Sequence, residues 1–192
     1  MTAPDTTERL RRFADLLLRW NAKLNLIAPR DAPLLWQRHI EDSLQLAPLI
    51  PPGIDRAIDL GSGAGFPGLV LAIATGIHFD LIESDQRKAA FLRTAVLETG
   101  APATVHARRI EDAPITPAPL VTARALAPLP RLLPLVAPLL APGGTCLLLK
   151  GAKVEDELVD AAQGWTMSVE RIPSRTGPDG VVLRLSDVHQ RP

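Results

Sequence analysis

Residues 57–68 read Ala-Ile-Asp-Leu-Gly-Ser-Gly-Ala-Gly-Phe-Pro-Gly, an apolar strand running into a glycine-dense turn and then a helix. Glycines in such a turn let the backbone bend tightly and approach a ligand closely. Gly63, Gly65 and Gly68 satisfy the G-x-G-x-x-G spacing, a weak signal on its own that gains weight from the strand before it. Downstream, short apolar runs at 56–60, 79–82, 103–105, 120–123 and 145–149 alternate with helical runs at 69–74, 88–97 and 129–140. That alternation is the rhythm of βαβ units and a mainly parallel sheet. The tail differs: runs at 165–172 and 181–185 flank Thr176-Gly177-Pro178-Asp179-Gly180, which reads as an antiparallel hairpin.

Upstream of the loop the pattern is helical. Asp5-Thr6-Thr7-Glu8 supplies an N-cap, and Leu10, Phe13, Leu17, Trp20, Leu24 and Ile27 then recur at spacings of three and four. A second helix is expected from near Pro33 through Trp36, Ile40 and Leu44, ending before Pro48, with Arg38, His39, Glu41 and Asp42 on its charged face. The run 49–53, rich in proline and glycine, separates this helical pair from the first strand. The expectation is one domain over 1–192, with a helical cap at 1–50 and a Rossmann-like α/β core at 54–192.

The chain has 192 residues with 21 basic and 21 acidic side chains. The zero net charge excludes a histone-like coating protein but leaves open an enzyme that gathers a few cations on one face. The uncharged run 132–149 approaches the length of a membrane span, yet Pro134, Pro138, Pro142 and Gly143-Gly144 would break a helix in lipid. The sequence therefore predicts no membrane association. The single cysteine, Cys146, sits in an apolar run and reads as a buried thiol, and the start lacks a signal pattern, so a cytoplasmic protein is expected. No Cys/His spacing suggests a metal.

Asp59 discriminates between ligands better than the glycines do. A carboxylate two residues before the first glycine would repel the pyrophosphate of a dinucleotide. S-adenosylmethionine carries an ammonium and a sulfonium and no phosphate, which suits an acidic strand end. Glu83, with Ser84 beside it, follows the second strand where an acid accepts from ribose hydroxyls, a position that serves either the methyl donor or NAD. Glu111, after the third strand, falls near the adenine pocket if the sheet is wound as proposed.

These residues resemble a known family, the small-subunit ribosomal RNA methyltransferase G family. The likeness covers most of the chain: Arg19 to Leu26, Arg38-His39-Ile40-Glu41-Asp42-Ser43, the loop Asp59 to Gly68 with its Phe-Pro-Gly end, Ala123-Arg124-Ala125, and Leu149-Lys150-Gly151. The resemblance implies a class I S-adenosylmethionine-dependent fold and methyl transfer to N7 of one guanine in 16S rRNA. It implies donor contacts at Gly61 and Phe66, with Gly63 in the same loop, adenine-side contacts at Ile110 and Glu111, and a site arginine at Arg124. The chain departs from the family at Ala123, where a serine is common, and at Leu24, where a tyrosine is common.

The residues that are missing agree with that target. An Asn/Asp-Pro-Pro-aromatic element, which exocyclic-amine methylation would require after the fourth strand, is replaced here by Thr122-Ala123-Arg124-Ala125-Leu126, and Cys146 is no loop nucleophile. Guanine N7 offers a lone pair and loses no proton, so no general base is expected, and the catalytic candidates reduce to Arg124 and Asp42. Asp42 would answer the positive charge of the product, while Arg124 and Lys150 would hold phosphate or guanine O6. Lys150 reads equally well as a solvated strand-end lysine. Arg38, His39 and Asp42 are expected to border the substrate opening, with His39 also a plain packing residue. Arg87, Lys88, Arg93, Arg108, Arg109 and Lys153 read first as surface cations that would add to an RNA footprint, and Trp20 and Trp36 as core packing. The expected partner is 16S rRNA, the small ribosomal subunit or its assembly intermediate, met by a monomer. Two alternatives stay open: an NAD-dependent oxidoreductase, and a donor-binding regulator without transferase activity.

Overall fold

The computed structural model describes residues 4–191. Seven strands form one sheet: β1 (Arg56–Leu60), β2 (His78–Ile82), β3 (Ala103–His106), β4 (Ala118–Arg124), β5 (Leu140–Lys150), β6 (Trp165–Pro173) and β7 (Val181–Gln190). Their order is β3-β2-β1-β4-β5-β7-β6. The first five are parallel; β7 runs antiparallel to β5 and to β6. The strand order reverses between β1 and β4, so the loops after these two strands part and leave a crevice at their C-terminal ends.

Each strand contributes alternate residues to two apolar layers, which is why the strands read as continuous apolar runs. Ile58, Leu60, Val121 and Ala123 face α5 (Leu129–Val136) and α6 (Val154–Ala161). Ala57, Phe79, Leu81 and Leu120 face α3 (Gly68–Thr75) and α4 (Gln86–Thr99). The N-terminal helix α1 (Pro4–Leu24) belongs to this second layer. Its Leu10, Phe13 and Leu17 are fully buried, the Phe13 ring meets Phe66 edge-on at 5.6 Å, and Trp20 lies 5.7 Å from Phe91. Each such side chain contributes about 1.5–3 kcal/mol of apolar burial, so α1 shares the core rather than decorating it.

Several expectations need correction. Asp5 lies in the first turn of α1 instead of capping it, because Pro4 before it is already helical. The second helix is not continuous: a 3₁₀ turn at Pro29–Leu34 gives way to a π-helical turn at Trp36–Glu41, then to α2 (Asp42–Leu44) and another 3₁₀ turn at Ala47–Leu49. Pro29, Pro33 and Pro48 lack the donors a regular helix needs. The face expected to be uniformly charged is divided, with Arg38 exposed and His39 and Asp42 turned inward. Trp36 is exposed rather than packed in the core. The helix expected over 129–140 ends at Val136, and its last residue, Leu140, already begins β5. Helix α6, which the apolar pattern does not predict, carries Glu155, Asp156 and Glu157 in its first turn, where acids favour the helix dipole.

Candidate functional site

The loop after β1 is held from below and from the side. Gly61 has φ of +63°, a left-handed conformation that favours glycine, and a Cβ there would press on the tip of the Leu126 side chain. Gly68 opens α3 directly over Asp59, with no room for a side chain: its Cβ would lie 2.6 Å from Asp59 Cγ. The Glu83 carboxylate accepts from Gly63 N at 2.8 Å and from Asp85 N at 2.7 Å, pinning the glycine loop to the end of β2. Asp85 in turn caps α4, accepting from the backbone of Arg87 and Lys88. The Phe66–Pro67 peptide is cis.

A cavity of about 520 Å³ opens at the crevice. Of the residues expected around a cofactor, Gly61, Gly63, Phe66, Glu83, Ser84, Ile110, Glu111 and Arg124 all line it. Asp59 does not: it is fully buried beneath the loop, on the same face of β1 as Ala57. From the N-terminal segment, Leu26, Ile27 and His39 close one side, while Arg38 lines neither this cavity nor its neighbour and instead pairs with Asp31 at 2.6 Å. Lys88, Arg108, Arg109 and Leu126 complete the wall without having been singled out for the cavity; the two arginines precede Ile110-Glu111, the one signal that pointed there.

Burial sets the electrostatics. Asp59 Oδ1 accepts from Thr122 Oγ1 at 2.6 Å, but Oδ2 is sealed from solvent without a hydrogen-bond partner among the described residues. Desolvation raises its carboxyl to about 6, with the Thr122 hydroxyl opposing. His39 stacks on Phe66 with centroids 5.0 Å apart, and both ring nitrogens lack hydrogen-bond partners among the described residues. Burial, reinforced by the Arg124 cation, pushes its pKa down to about 4, so at neutral pH the ring is uncharged. The Arg124 guanidinium carbon sits 4.8 Å from the Phe66 ring centroid. Its Nη1 donates at 3.4 Å to Asp42 Oδ2 and to the Arg38 carbonyl. Cys146 is buried, and its thiol is raised well above the usual range by desolvation.

A second cavity of about 500 Å³ adjoins the first, sharing Arg124, Ala125 and Leu126. Asp42 and Lys150 line it, together with Glu157 from α6 and residues of the β6–β7 turn. Polar contacts clasp the N-terminal segment to that turn: Thr176 Oγ1 donates to Asp42 Oδ1 at 2.5 Å, and Arg175 N donates to Gln45 Oε1 at 2.9 Å. Among the described residues there is no group of three His, Cys, Asp or Glu placed to hold a metal ion, and no helix is long and apolar enough to cross a membrane.

A sheet of this order, with a glycine loop after β1 and an acid after β2, is the fold of the S-adenosylmethionine-dependent methyltransferases. The fold is similar to that of an O-methyltransferase from Bacillus cereus solved with SAH, with TM-score 0.61 and 13% identity over 91% of this chain and 90% of that one. It is also similar to the glycopeptide N-methyltransferase MtfA solved with S-adenosylmethionine, with TM-score 0.63 and 13% identity over 77% of this chain and 93% of that one.

The family model described as rRNA small subunit methyltransferase G matches residues 6–178. Proteins named ribosomal RNA small subunit methyltransferase G are 60% identical in Gluconobacter oxydans, covering 95% of this chain and 94% of that one, and 56% identical in Acidiphilium cryptum, covering 94% and 85%. The chain belongs to the rRNA small subunit methyltransferase G family. Membership sets aside the NAD-dependent oxidoreductase.

Proposed function

We propose that this protein transfers the methyl group of S-adenosylmethionine to N7 of one guanine in 16S rRNA, presented by the small ribosomal subunit or its assembly intermediate. The observation that carries the reading is the pair of cavities joined at Arg124–Leu126, one floored by the glycine loop and the other walled by Asp42 and Lys150. The first suits an adenosine-containing cation. Glu83 and Glu111 would accept from its hydroxyl and amino groups, Ile82 and Ile110 would supply apolar wall, and Gly61, Gly63, Phe66 and Ser84 would hold the rest of the donor. Asp59 acts on this ligand through the loop above it and through the electrostatic field rather than by contact.

The bound donor supplies a methyl carbon on a positively charged sulfur. The N7 lone pair forms the new bond to that carbon while the carbon–sulfur bond breaks and its electron pair stays on sulfur. No proton leaves N7, so positioning and exclusion of water are the protein's tasks. Arg124, held between Asp42 and the Phe66 ring, stands where the two cavities meet and orients the base. Asp42 answers the charge on the product and fixes Arg124; His39, stacked on Phe66, shields the seam from water. Arg38 stays outside both cavities and serves at most the RNA backbone, with Lys88, Arg108 and Arg109 on the donor side of the same rim.

The same reading makes the chain a cytoplasmic monomer of one domain, with residues 1–50 capping a core at 54–192. The apolar cluster shared by α1, α3 and α4 supports counting the N-terminal segment within that one domain. The test is transfer of labelled methyl from S-adenosylmethionine to small subunits lacking their guanine-N7 mark, with the product nucleoside identified by mass. A single new 7-methylguanosine is expected. Donor binding without transfer would instead favour a regulator, and a different methylated nucleoside would refute the target atom.

A further inference from the structure

Guanine and adenine both carry an accessible N7, so an enzyme that acts on this atom cannot choose its base by N7 alone. The choice has to be made at the neighbouring edge, where guanine offers an acceptor at O6 and a donor at N1–H, and adenine offers a donor at N6 and an acceptor at N1. The second cavity holds the complement. Lys150 Nζ donates to Glu157 Oε2 at 2.6 Å and to the Ala127 carbonyl at 2.8 Å, and Glu157 Oε2 also accepts from Leu129 N at 2.8 Å. An ammonium has three donors, so one N–H of Lys150 is left over. Glu157 Oε1 accepts nothing from the described residues, and it is not among the side-chain atoms sealed from solvent without a partner.

We infer that Lys150 and Glu157, fixed side by side on the wall of the second cavity, read the target base, Lys150 donating to guanine O6 and Glu157 Oε1 accepting from N1–H. The inference rests on the proposed guanine-N7 activity and adds the residues that select the base. With N7 turned to the Arg124–Leu126 seam shared with the donor cavity, the N1 edge points away from it into the second cavity, whose wall Lys150 and Glu157 form. Both side chains are largely buried, at 8% and 22% exposure. The Leu129 N–H and the Ala127 carbonyl hold them in register, so neither reorients to suit another base. Adenine would set donor against donor and acceptor against acceptor, so the third N–H of Lys150 and Oε1 of Glu157 would each give up water without gaining a partner.

The experiment uses the full-length protein and small subunits reconstituted with 16S rRNA carrying guanine, 1-methylguanine or adenine at the target position. Methyl transfer is read as kcat/KM, and binding of each subunit is measured separately. Wild type is expected to methylate guanine and to lose about 10- to 100-fold on 1-methylguanine, the loss expected for one hydrogen bond to a charged acceptor. Glu157→Gln is expected to lower the guanine rate about 10-fold and to shrink the gaps between guanine and the other two bases, with S-adenosylmethionine affinity unchanged. A residue that merely fastened α5 and α6 to β5 would slow all three substrates alike. Equal rates on guanine and 1-methylguanine with the wild-type protein overturn the inference, whether or not the variant folds. No product on the guanine subunit overturns the guanine-N7 reading and the inference together.

Discussion

Replacing Asp59 by Asn should change how stability responds to pH. In the folded protein the carboxyl is completely buried, one oxygen accepts from Thr122 and the other has no partner among the described residues, and desolvation raises its pKa from 3.8 to about 6. Because the folded value is the higher one, the folded state keeps its proton longer than the unfolded chain. The wild type is therefore favoured below the unfolded pKa and loses stability as pH rises from about 4 through about 6. The shift corresponds to about 3 kcal/mol in full, of which about 2 kcal/mol falls between about pH 4.5 and about pH 7. Asn keeps the acceptor for Thr122 but cannot ionise, so it lacks this slope. Its amide nitrogen inherits the partnerless position at every pH, a constant cost that cancels when the same two proteins are compared at two pH values. Urea unfolding of both at those two values, with m checked for constancy, gives the comparison. The stability of the Asp59→Asn variant relative to wild type should grow by about 2 kcal/mol toward the higher pH. A difference that stays flat would mean that Asp59 ionises in its ordinary range and that the burial argument is wrong.

His39 runs in the opposite direction. Its folded pKa of about 4 lies below the usual 6.5, so stability present above 6.5 is lost as pH falls toward 4, and His39→Phe, which keeps the stack on Phe66, should remove that loss in parallel denaturation curves. Gly68→Ala should cost about 1–3 kcal/mol by overpacking Asp59, read as a lowered urea midpoint; an unchanged midpoint would show that α3 shifts freely. Glu83→Ala frees the backbone N–H groups of Gly63 and Asp85 and should weaken S-adenosylmethionine binding by about 1.5–3 kcal/mol in calorimetry, whereas unchanged affinity in a folded variant would remove Glu83 from the site. Arg124→Ala should abolish turnover and keep the fold, since Asp42 retains Thr176 and Gln45 as donors; wild-type rates would reduce Arg124 to a packing role against Phe66 and Asp42.

The parallel strands were legible because strands covered on both faces must be apolar at nearly every position, and the turns between them are punctuated by glycine and proline. The segment at 29–49 was not, because a helix that changes from 3₁₀ to π and then to α has no single period for the apolar residues to follow. Helix α6 escaped for a related reason: its eight residues hold four acids, and its few apolar positions give too short a stripe. Glu157 went unread with it, although it follows Lys150 by only seven positions.

By itself the sequence determined the alternation of strands and helices, the glycine loop, the acid after β2 and the arginine at the end of the fourth strand, since each is read from residue type and spacing. Tertiary structure alone decided which side chains share a space. The pleat of β1 turns Asp59 away from the cavity it was expected to line, the π turn aims His39 at Phe66 while sending Arg38 outward, and the β6–β7 turn meets Asp42 across 134 positions of chain. Local patterns record which face of an element is apolar. They carry no trace of what a distant segment places opposite that face, and in this protein the second cavity is made almost wholly of such meetings.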